Sequence, residues 1–155
     1  MTQDWKLPWN GRCRCGEVRI RVMKPPLVTM ACHCSGCQVM SASAFSLSIA
    51  LPSDGLEVVS GEPVLGGLRQ EHRQYFCPSC KSWMFTRPSG ADWLINLRPS
   101  LLDDHSWYVP FIEVMTSQKL RWATTPAAHS YETAPEAAEF EPLMQAFAQG
   151  GGRPG

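Results

Sequence analysis

No sign of charge prevails in this chain. Fourteen lysines and arginines stand against fourteen aspartates and glutamates, a formal net charge of +0. That balance gives nothing with which to hold a polyanion such as nucleic acid. No apolar run approaches the roughly 18 residues needed to cross a bilayer, so no membrane association is expected. The first ten residues, with Asp4 and Lys6 among them, lack the apolar stretch of an export signal. The expectation is therefore a reducing cytoplasm. Repeats and linkers are missing too, and 155 residues suit one domain. With 44% hydrophobic and 18% charged residues, the chain has material for a core and is not of disordered composition. Lone cysteines are also absent.

All seven cysteines fall into three clusters: Cys13-Arg14-Cys15, Cys32-His33-Cys34-Ser35-Gly36-Cys37 and Cys77-Pro78-Ser79-Cys80. Cysteine used as a small buried hydrophobe is scattered singly, whereas spacings of i, i+2 and i, i+3 serve chelation. An odd number also argues against a disulfide framework. Residues two apart on a strand share a face with Cα atoms about 6.6 Å apart. Leaning side chains can close that gap to the roughly 3.8 Å that tetrahedral zinc requires between sulfurs. Cys77-x-x-Cys80 and Cys34-x-x-Cys37 have the spacing of zinc knuckles, Gly36 easing the turn in the second.

A closed structural zinc takes four thiolates, which leaves three, the ligand number of an open, reactive site. The compact trio Cys32, Cys34 and Cys37 can share one metal unaided. Cys13, Cys15, Cys77 and Cys80 would then form a four-thiolate site tying the first strand to a hairpin. Spacing permits other pairings as well, such as Cys13/Cys15 with Cys34/Cys37. Three thiolates and Zn²⁺ sum to −1, which makes a weak Lewis acid for water and suits a soft thiol ligand. The chemistry expected is thiol chemistry. Two zinc ions on seven thiolates would take the whole chain three charges negative, further from nucleic acid.

Around the clusters the chain reads as mainly β. Glu17 to Val22 alternates, with Val18, Ile20 and Val22 on one face. Phe45, Leu47 and Ile49 alternate with Ser46, Ser48 and Ala50. Further strands are expected at Leu56–Val59, Arg69–Phe76, Ser82–Thr86, Asp92–Leu97, Pro110–Met115 and Leu120–Trp122, with Cys77–Cys80 at a hairpin tip. Only the C-terminal part reads as helical. Thr133-Ala134-Pro135-Glu136 has the form of a capping box, and Phe140, Leu143, Met144 and Phe147 form an apolar stripe. Pro142 predicts a kink or two short helices. The division expected is an N-terminal arm over 1–10, a zinc-binding domain over 11–148 and a flexible tail over 149–155.

Gly11-Arg12-Cys13-Arg14-Cys15-Gly16-Glu17-Val18-Arg19, Cys32 to Cys37 and Tyr75-Phe76-Cys77-Pro78-Ser79-Cys80 closely resemble the glutathione-dependent formaldehyde-activating enzyme family, which also contains centromere protein V. Ser41-Ala42-Ser43-Ala44-Phe45, Pro110-Phe111-Ile112, Trp122 and Ser130 to Pro135 extend the likeness over roughly 11–135. The resemblance implies a β-tent fold with two zincs, the structural one on Cys13, Cys15, Cys77 and Cys80 and the reactive one on Cys32, Cys34 and Cys37. It implies an activity as well: glutathione plus formaldehyde giving S-(hydroxymethyl)glutathione, a carbon–sulfur lyase in reverse. Two positions depart from the family's pattern. Lys81 follows Cys80 and Ala42 stands beyond the central cysteines, where the family tends to have glycine. The first is expected to strain the knuckle or set a cation beside the sulfurs, the second to narrow the reactive site.

Two other classes compete with the enzyme: a non-catalytic zinc module with both sites closed, and a thiol or zinc sensor. Closure of the central site would need a histidine. His33, between two ligands, is expected to point away from the metal, and His72 could reach it only through the fold. His105 and His129 read as surface residues. Arg69, Arg73 and Lys81 are candidates to meet glutathione carboxylates, against a solvated basic edge. Trp83, Trp93, Trp107 and Trp122 read as core and rim aromatics. No general acid or base emerges.

Overall fold

Val18, Ile20 and Val22 are all buried, as their alternation demands, while Arg19 on the other face of the same stretch is exposed. The computed structural model describes residues 4–66 and 72–151, and these form two compact units. The predicted positions Arg69, at the head of a strand, and 152–155, in the tail, lie outside the described residues.

One unit comprises Trp5–Pro26 and Ile49–His105. Strands β1 (Trp9–Arg12) and β2 (Arg19–Val22) pair antiparallel, and β5 (Leu56–Ser60) pairs with β2 on its other edge. Gly11 sits where a Cβ would meet the Leu101 carbonyl oxygen at 2.6 Å, so no side chain fits there. A second sheet in this unit runs from the end of β4 (Ser46–Pro52) through β9 (Leu94–Leu97), β8 (Trp83–Pro88) and β7 (His72–Phe76) to β6 (Val64–Gly66), all antiparallel. Ile49, Leu51, Met84, Ile95 and Leu97 are fully buried there. Each such side chain contributes about 1.5–3 kcal/mol on leaving water. The hairpin β7–β8 carries Cys77–Cys80 at its tip, as the spacing predicts.

The other unit contains Leu27–Ser48 and the chain from Ser106 onward. Here β3 (Val28–Cys32), β10 (Ile112–Val114) and β11 (His129–Ser130) are parallel, in the order β11-β10-β3. The Thr29 hydroxyl donates to the Val109 carbonyl at 2.6 Å and accepts the Phe111 amide at 3.0 Å, which locks β3 to the run into β10. Helix α1 (Ser35–Ser41) follows the second cysteine of the central cluster, and α2 (Ala137–Ala146) closes the chain. Leu143 and Phe147 of the predicted stripe are buried, Phe147 edge-on to Phe111 at 5.7 Å.

The mainly β expectation with a short terminal helix holds, and several details correct the sequence reading. Only the C-terminus reads as helical, yet α1 is a helix whose residues are all solvent-accessible to some degree; it offers no apolar stripe to find. Leu120–Trp122 is no strand but ends in a turn, with Trp122 74% exposed. In β4 the serines, not Leu47, face inward: Ser46, Ser48 and Ala50 are buried, and from Ser48 to Leu51 every residue is. A strand covered on both faces no longer alternates. The cap of α2 is Glu136, whose amide donates to the Glu139 carboxylate at 2.7 Å, so the box starts three residues later than predicted. Pro142 lies inside α2 without splitting it.

Candidate metal centres

The seven cysteine sulfurs gather into two groups, each within one unit: Cys13, Cys15, Cys77 and Cys80 in the first, Cys32, Cys34 and Cys37 in the second. In each group all sulfurs lie within 4.8 Å of one another. The swapped pairings left open by spacing are not the ones the fold assembles.

In the four-sulfur group, Cys13 follows β1 and Cys15 lies on the turn toward β2, while Cys77 and Cys80 occupy the tip of β7–β8. Their separations, 3.6 Å for Cys13–Cys15 and 3.7 Å for Cys15–Cys77, match the edge of a zinc tetrahedron. The Val18 amide donates to Cys13 Sγ at 3.3 Å and the Cys80 amide to Cys77 Sγ at 3.4 Å, so backbone dipoles already face sulfurs that ligation would make anionic. The Ser82 hydroxyl reaches Cys80 Sγ at 3.1 Å and is itself held by the Arg14 amide.

These contacts pull the thiols apart. Burial opposes ionisation of Cys80, but the hydroxyl and amide of Ser82 and the Cys15 amide carry it down to about 5. At Cys15 the Glu17 amide favours the thiolate, yet desolvation and the sulfurs of Cys13, Cys80 and Cys77 push it up to about 11. At Cys13 burial and the Cys80 sulfur act upward but are outweighed by the Val18 amide and the Cys15 and Cys77 sulfurs, and the thiol ends lowered. A cluster that ionises in part and resists the rest lacks positive charge, and a dication supplies it. The donor set fits zinc.

In the three-sulfur group each cysteine has a different anchor. Cys32 ends β3, Cys34 is the N-cap of α1, and Cys37 lies in its first turn. The Cys37 amide donates to Cys34 Sγ at 3.3 Å. Hydrogen bonding with Cys37 first, then burial and the Cys37 charge, pushes Cys32 far up, again the mark of thiols crowded without a counterion. Among the described residues no fourth Cys, His, Asp or Glu joins this group. His33 does not: its ring is fully buried and its Nε2 lies 2.7 Å from Glu113 Oε1. His72 is exposed on β7, His105 Nδ1 donates to the Leu102 carbonyl at 3.1 Å, and His129 packs edge-on to Phe111.

Both departures from the family's glycines fall on left-handed backbone: Ala42 at φ 50° as the C-cap of α1, and Lys81 at φ 60° after the knuckle. The Lys81 ammonium turns back to the Pro78 carbonyl. Arg73 pairs with Asp92 at 3.7 Å. Of the tryptophans, Trp107 is buried, Trp83 is half-buried beneath the Arg98 guanidinium at 3.9 Å, and Trp93 is 50% exposed.

Sequence reasoning passed over Glu113, Gln38, Gln118 and Ser82. Glu113 carried a signal, being an acid inside the apolar run Phe111-Ile112-Glu113-Val114-Met115. Gln38 donates to the His33 carbonyl at 2.8 Å and the Gln118 carbonyl at 3.1 Å, and Gln118 Oε1 accepts the Ser35 amide at 2.8 Å. Gln118 thus braces the three-sulfur loop from 80 or more positions away, which spacing cannot reveal.

A family model described as "Glutathione-dependent formaldehyde-activating enzyme" matches residues 8–118, a span holding all seven cysteines and ending short of Trp122 and Ser130–Pro135. A Halomonas elongata protein named for glutathione-dependent formaldehyde activation, an activity its name marks as unproven, is 31% identical over 86 residues, 49% of this chain. The chain spans about half, 55%, of that relative's length. A crystal structure of a Rhodobacter sphaeroides protein is similar over 61% of this chain and 87% of its own, at 22% identity and a TM-score of 0.49.

Proposed function

This chain belongs to the glutathione-dependent formaldehyde-activating enzyme family, and on that premise we propose that it joins a thiol of the glutathione type to an aldehyde, formaldehyde in the first instance, and splits the adduct in reverse. The observation that carries the reading is the inequality of the two cysteine groups: four sulfurs in one, three in the other, with no fourth donor beside the three among the described residues. In this proposal Cys13, Cys15, Cys77 and Cys80 hold a structural zinc, and Cys32, Cys34 and Cys37 hold a reactive one. The working compartment would be the cytoplasm, where the seven thiols stay reduced.

Zinc bound by Cys32, Cys34 and Cys37 would supply an open position for a soft sulfur ligand and favour its thiolate. The chain's own residues do the rest. Cys32, at the end of β3, and Cys34 and Cys37, at the N-cap and in the first turn of α1, converge from two elements joined through residue 33. The Cys37 amide neutralises part of the charge on Cys34. Cys32, Cys34 and Cys37 are each only partly buried, which leaves access for a substrate from solvent. In the reaction the thiol sulfur forms a bond to the aldehyde carbon, the carbonyl π pair goes to oxygen, and the thiol proton ends there. Holding both reactants in one place is the larger part of such catalysis.

Zinc content and sulfur coordination by X-ray absorption test the reading. The expected result is two zincs per chain with about 3.5 sulfurs each on average, rising to about 4 with glutathione. Exchange NMR should then show adduct formation faster than the uncatalysed rate. Three sulfurs and a protein nitrogen on the second zinc, unchanged by glutathione, would turn the protein into a closed zinc module. One firm zinc with a labile second, and no acceleration, would indicate a sensor.

A further inference from the structure

His33 is the one residue between Cys32 and Cys34, and its backbone and one ring nitrogen are tied down. Its amide donates to the Val114 carbonyl at 3.0 Å, its carbonyl accepts from Gln38 at 2.8 Å, and its Nε2–H donates to Glu113 Oε1 at 2.7 Å. Phe45 packs against the ring edge at 5.3 Å. The ring is 0% exposed, and its Nδ1 has no hydrogen-bond partner among the described residues. Glu113 is also buried, at 5% exposure. Its second oxygen accepts the Ser130 hydroxyl at 2.8 Å, and Lys119 Nζ stands 4.0 Å from the first.

A buried polar pair of this kind is a poor way to fill space. An apolar side chain of the same volume would leave no unpaired nitrogen and bury no carboxylate. What the pair adds is direction. Residue 33 joins the end of β3 to the N-cap of α1, so its backbone torsions set how the Cys32 and Cys34 sulfurs face each other. Glu113 fixes the ring from the neighbouring strand β10, where Glu113 is paired with Ala31 and Val114 with Cys32.

We infer that Glu113 is a positioning residue for the three-cysteine metal centre, acting through His33: a carboxylate 80 positions away sets the aim of Cys32 and Cys34 and thereby the centre's affinity for metal. The link is to ligand geometry and does not require either group to change protonation. Outer partners of this type commonly account for 10–100-fold in metal affinity. The inference rests on the three-cysteine group binding metal at all.

The test uses Co²⁺ as probe on the full chain, following thiolate-to-cobalt charge-transfer and d–d absorption in competition with a chelator. The binding event lost in Cys34→Ser marks the three-cysteine centre. The key variant is the double substitution His33→Phe with Glu113→Leu, which replaces the polar link by an apolar pair. It is expected to leave the metal-free protein at least as resistant to urea, because neither partner is left unpaired. At the three-cysteine centre it should nevertheless bind Co²⁺ 10–100-fold more weakly with an altered d–d envelope, the four-cysteine centre keeping its affinity. Glu113→Gln, which retains an acceptor for Nε2–H, should stay within about threefold of the parent. Parental affinity and spectrum in the double variant would overturn the inference while leaving the metal centre standing. Should the parent chain itself show no cobalt event that Cys34→Ser removes, the metal reading fails and this inference with it. If the double variant does not fold, Ser130→Ala, which only loosens Glu113, decides: a severalfold loss confined to the three-cysteine centre supports the link, and none overturns it.

Discussion

Cys34 Sγ accepts the backbone amide of Cys37 at 3.3 Å, and the same Cys34 is the N-cap of α1. One sulfur thus starts a helix and, in the proposed centre, binds a metal. The two tasks can be separated. Serine caps a helix at least as well as a thiol but is not a thiolate ligand, whereas alanine does neither. In chelator, Cys34→Ser should match or exceed the parent in urea denaturation, and Cys34→Ala should fall about 1 kcal/mol below it. Both should lower bound zinc from two to one per chain. A serine variant as unstable as the alanine one would mean that the sulfur does not cap α1.

Glycine chemistry around the two cysteine groups runs against intuition. Ala42 and Lys81 hold left-handed backbone at φ 50° and 60°, a conformation costing roughly 1 kcal/mol for a residue with a Cβ. Ala42→Gly should raise stability by about that amount, and Lys81→Gly by less, since it also removes the ammonium contact to Pro78. Gly36, by contrast, has no positive φ, and a Cβ there would meet only Cys34 Sγ at 3.9 Å. Gly36→Ala should be tolerated and gain up to about 1 kcal/mol from helix propensity. Thermal melts of the three variants check all of this, and a loss in Gly36→Ala would contradict the helical first turn.

These positions show what was legible in the sequence and what was not. The two cysteine groups could be read because close spacing brings sulfurs together, and the count of seven already divided four from three. The hairpin that carries Cys77 and Cys80 showed through its flanking strands. Gly36, however, looked like a knuckle turn, because seven accessible residues from Ser35 to Ser41 offer no apolar period to betray α1. Ser46 and Ser48 alternate with Phe45, Leu47 and Ile49, but alternation says which residues share a side and not which side is covered. Glu113 could not be tied to His33 at all: a hydrogen bond between parallel neighbours β3 and β10 leaves no trace in local pattern.

Glu113 also predicts an acid limb. Burial raises its pKa, but Ser130, His33 and the Lys119 charge outweigh this and hold it below 4.5. A depressed carboxylate stabilises the fold above its unfolded value near 4.5 and loses that contribution as pH falls through the folded value. In metal-free protein, the stability gap between parent and Glu113→Gln should therefore be constant from about pH 6 to 7 and shrink below pH 4.5. Urea midpoints across that range measure it. A gap that widens on acidification would reverse the sign and remove the carboxylate's role.

The four-cysteine group makes the sharpest chemical forecast, because its thiols are driven in opposite directions by contacts only a few ångströms long. Cys80 lies at about 5 and Cys15 at about 11, although Cys15 is the more exposed. Near pH 7.5, in the metal-free reduced chain, Cys80 is almost wholly thiolate, while roughly one Cys15 in a few thousand is. A low pKa also makes a weaker nucleophile, by about 0.4–0.5 log units per pKa unit. Six units of separation therefore offset some two and a half to three decades of that population advantage, leaving Cys80 ahead by severalfold. As pH rises the Cys15 thiolate gains tenfold per unit and Cys80 gains nothing, so the order should invert between about pH 8 and 9. Timed reaction with a small disulfide reagent, read by peptide mass spectrometry, gives both rates. Ser82→Ala, which removes the hydroxyl that holds the Cys80 thiolate, should move upward the pH at which Cys80 reactivity levels off and leave Cys15 at pH 10 nearly unchanged. With zinc bound, all four should be protected at either pH. Faster reaction of Cys15 across the whole range would show that exposure, not the Ser82 contact, governs these thiols.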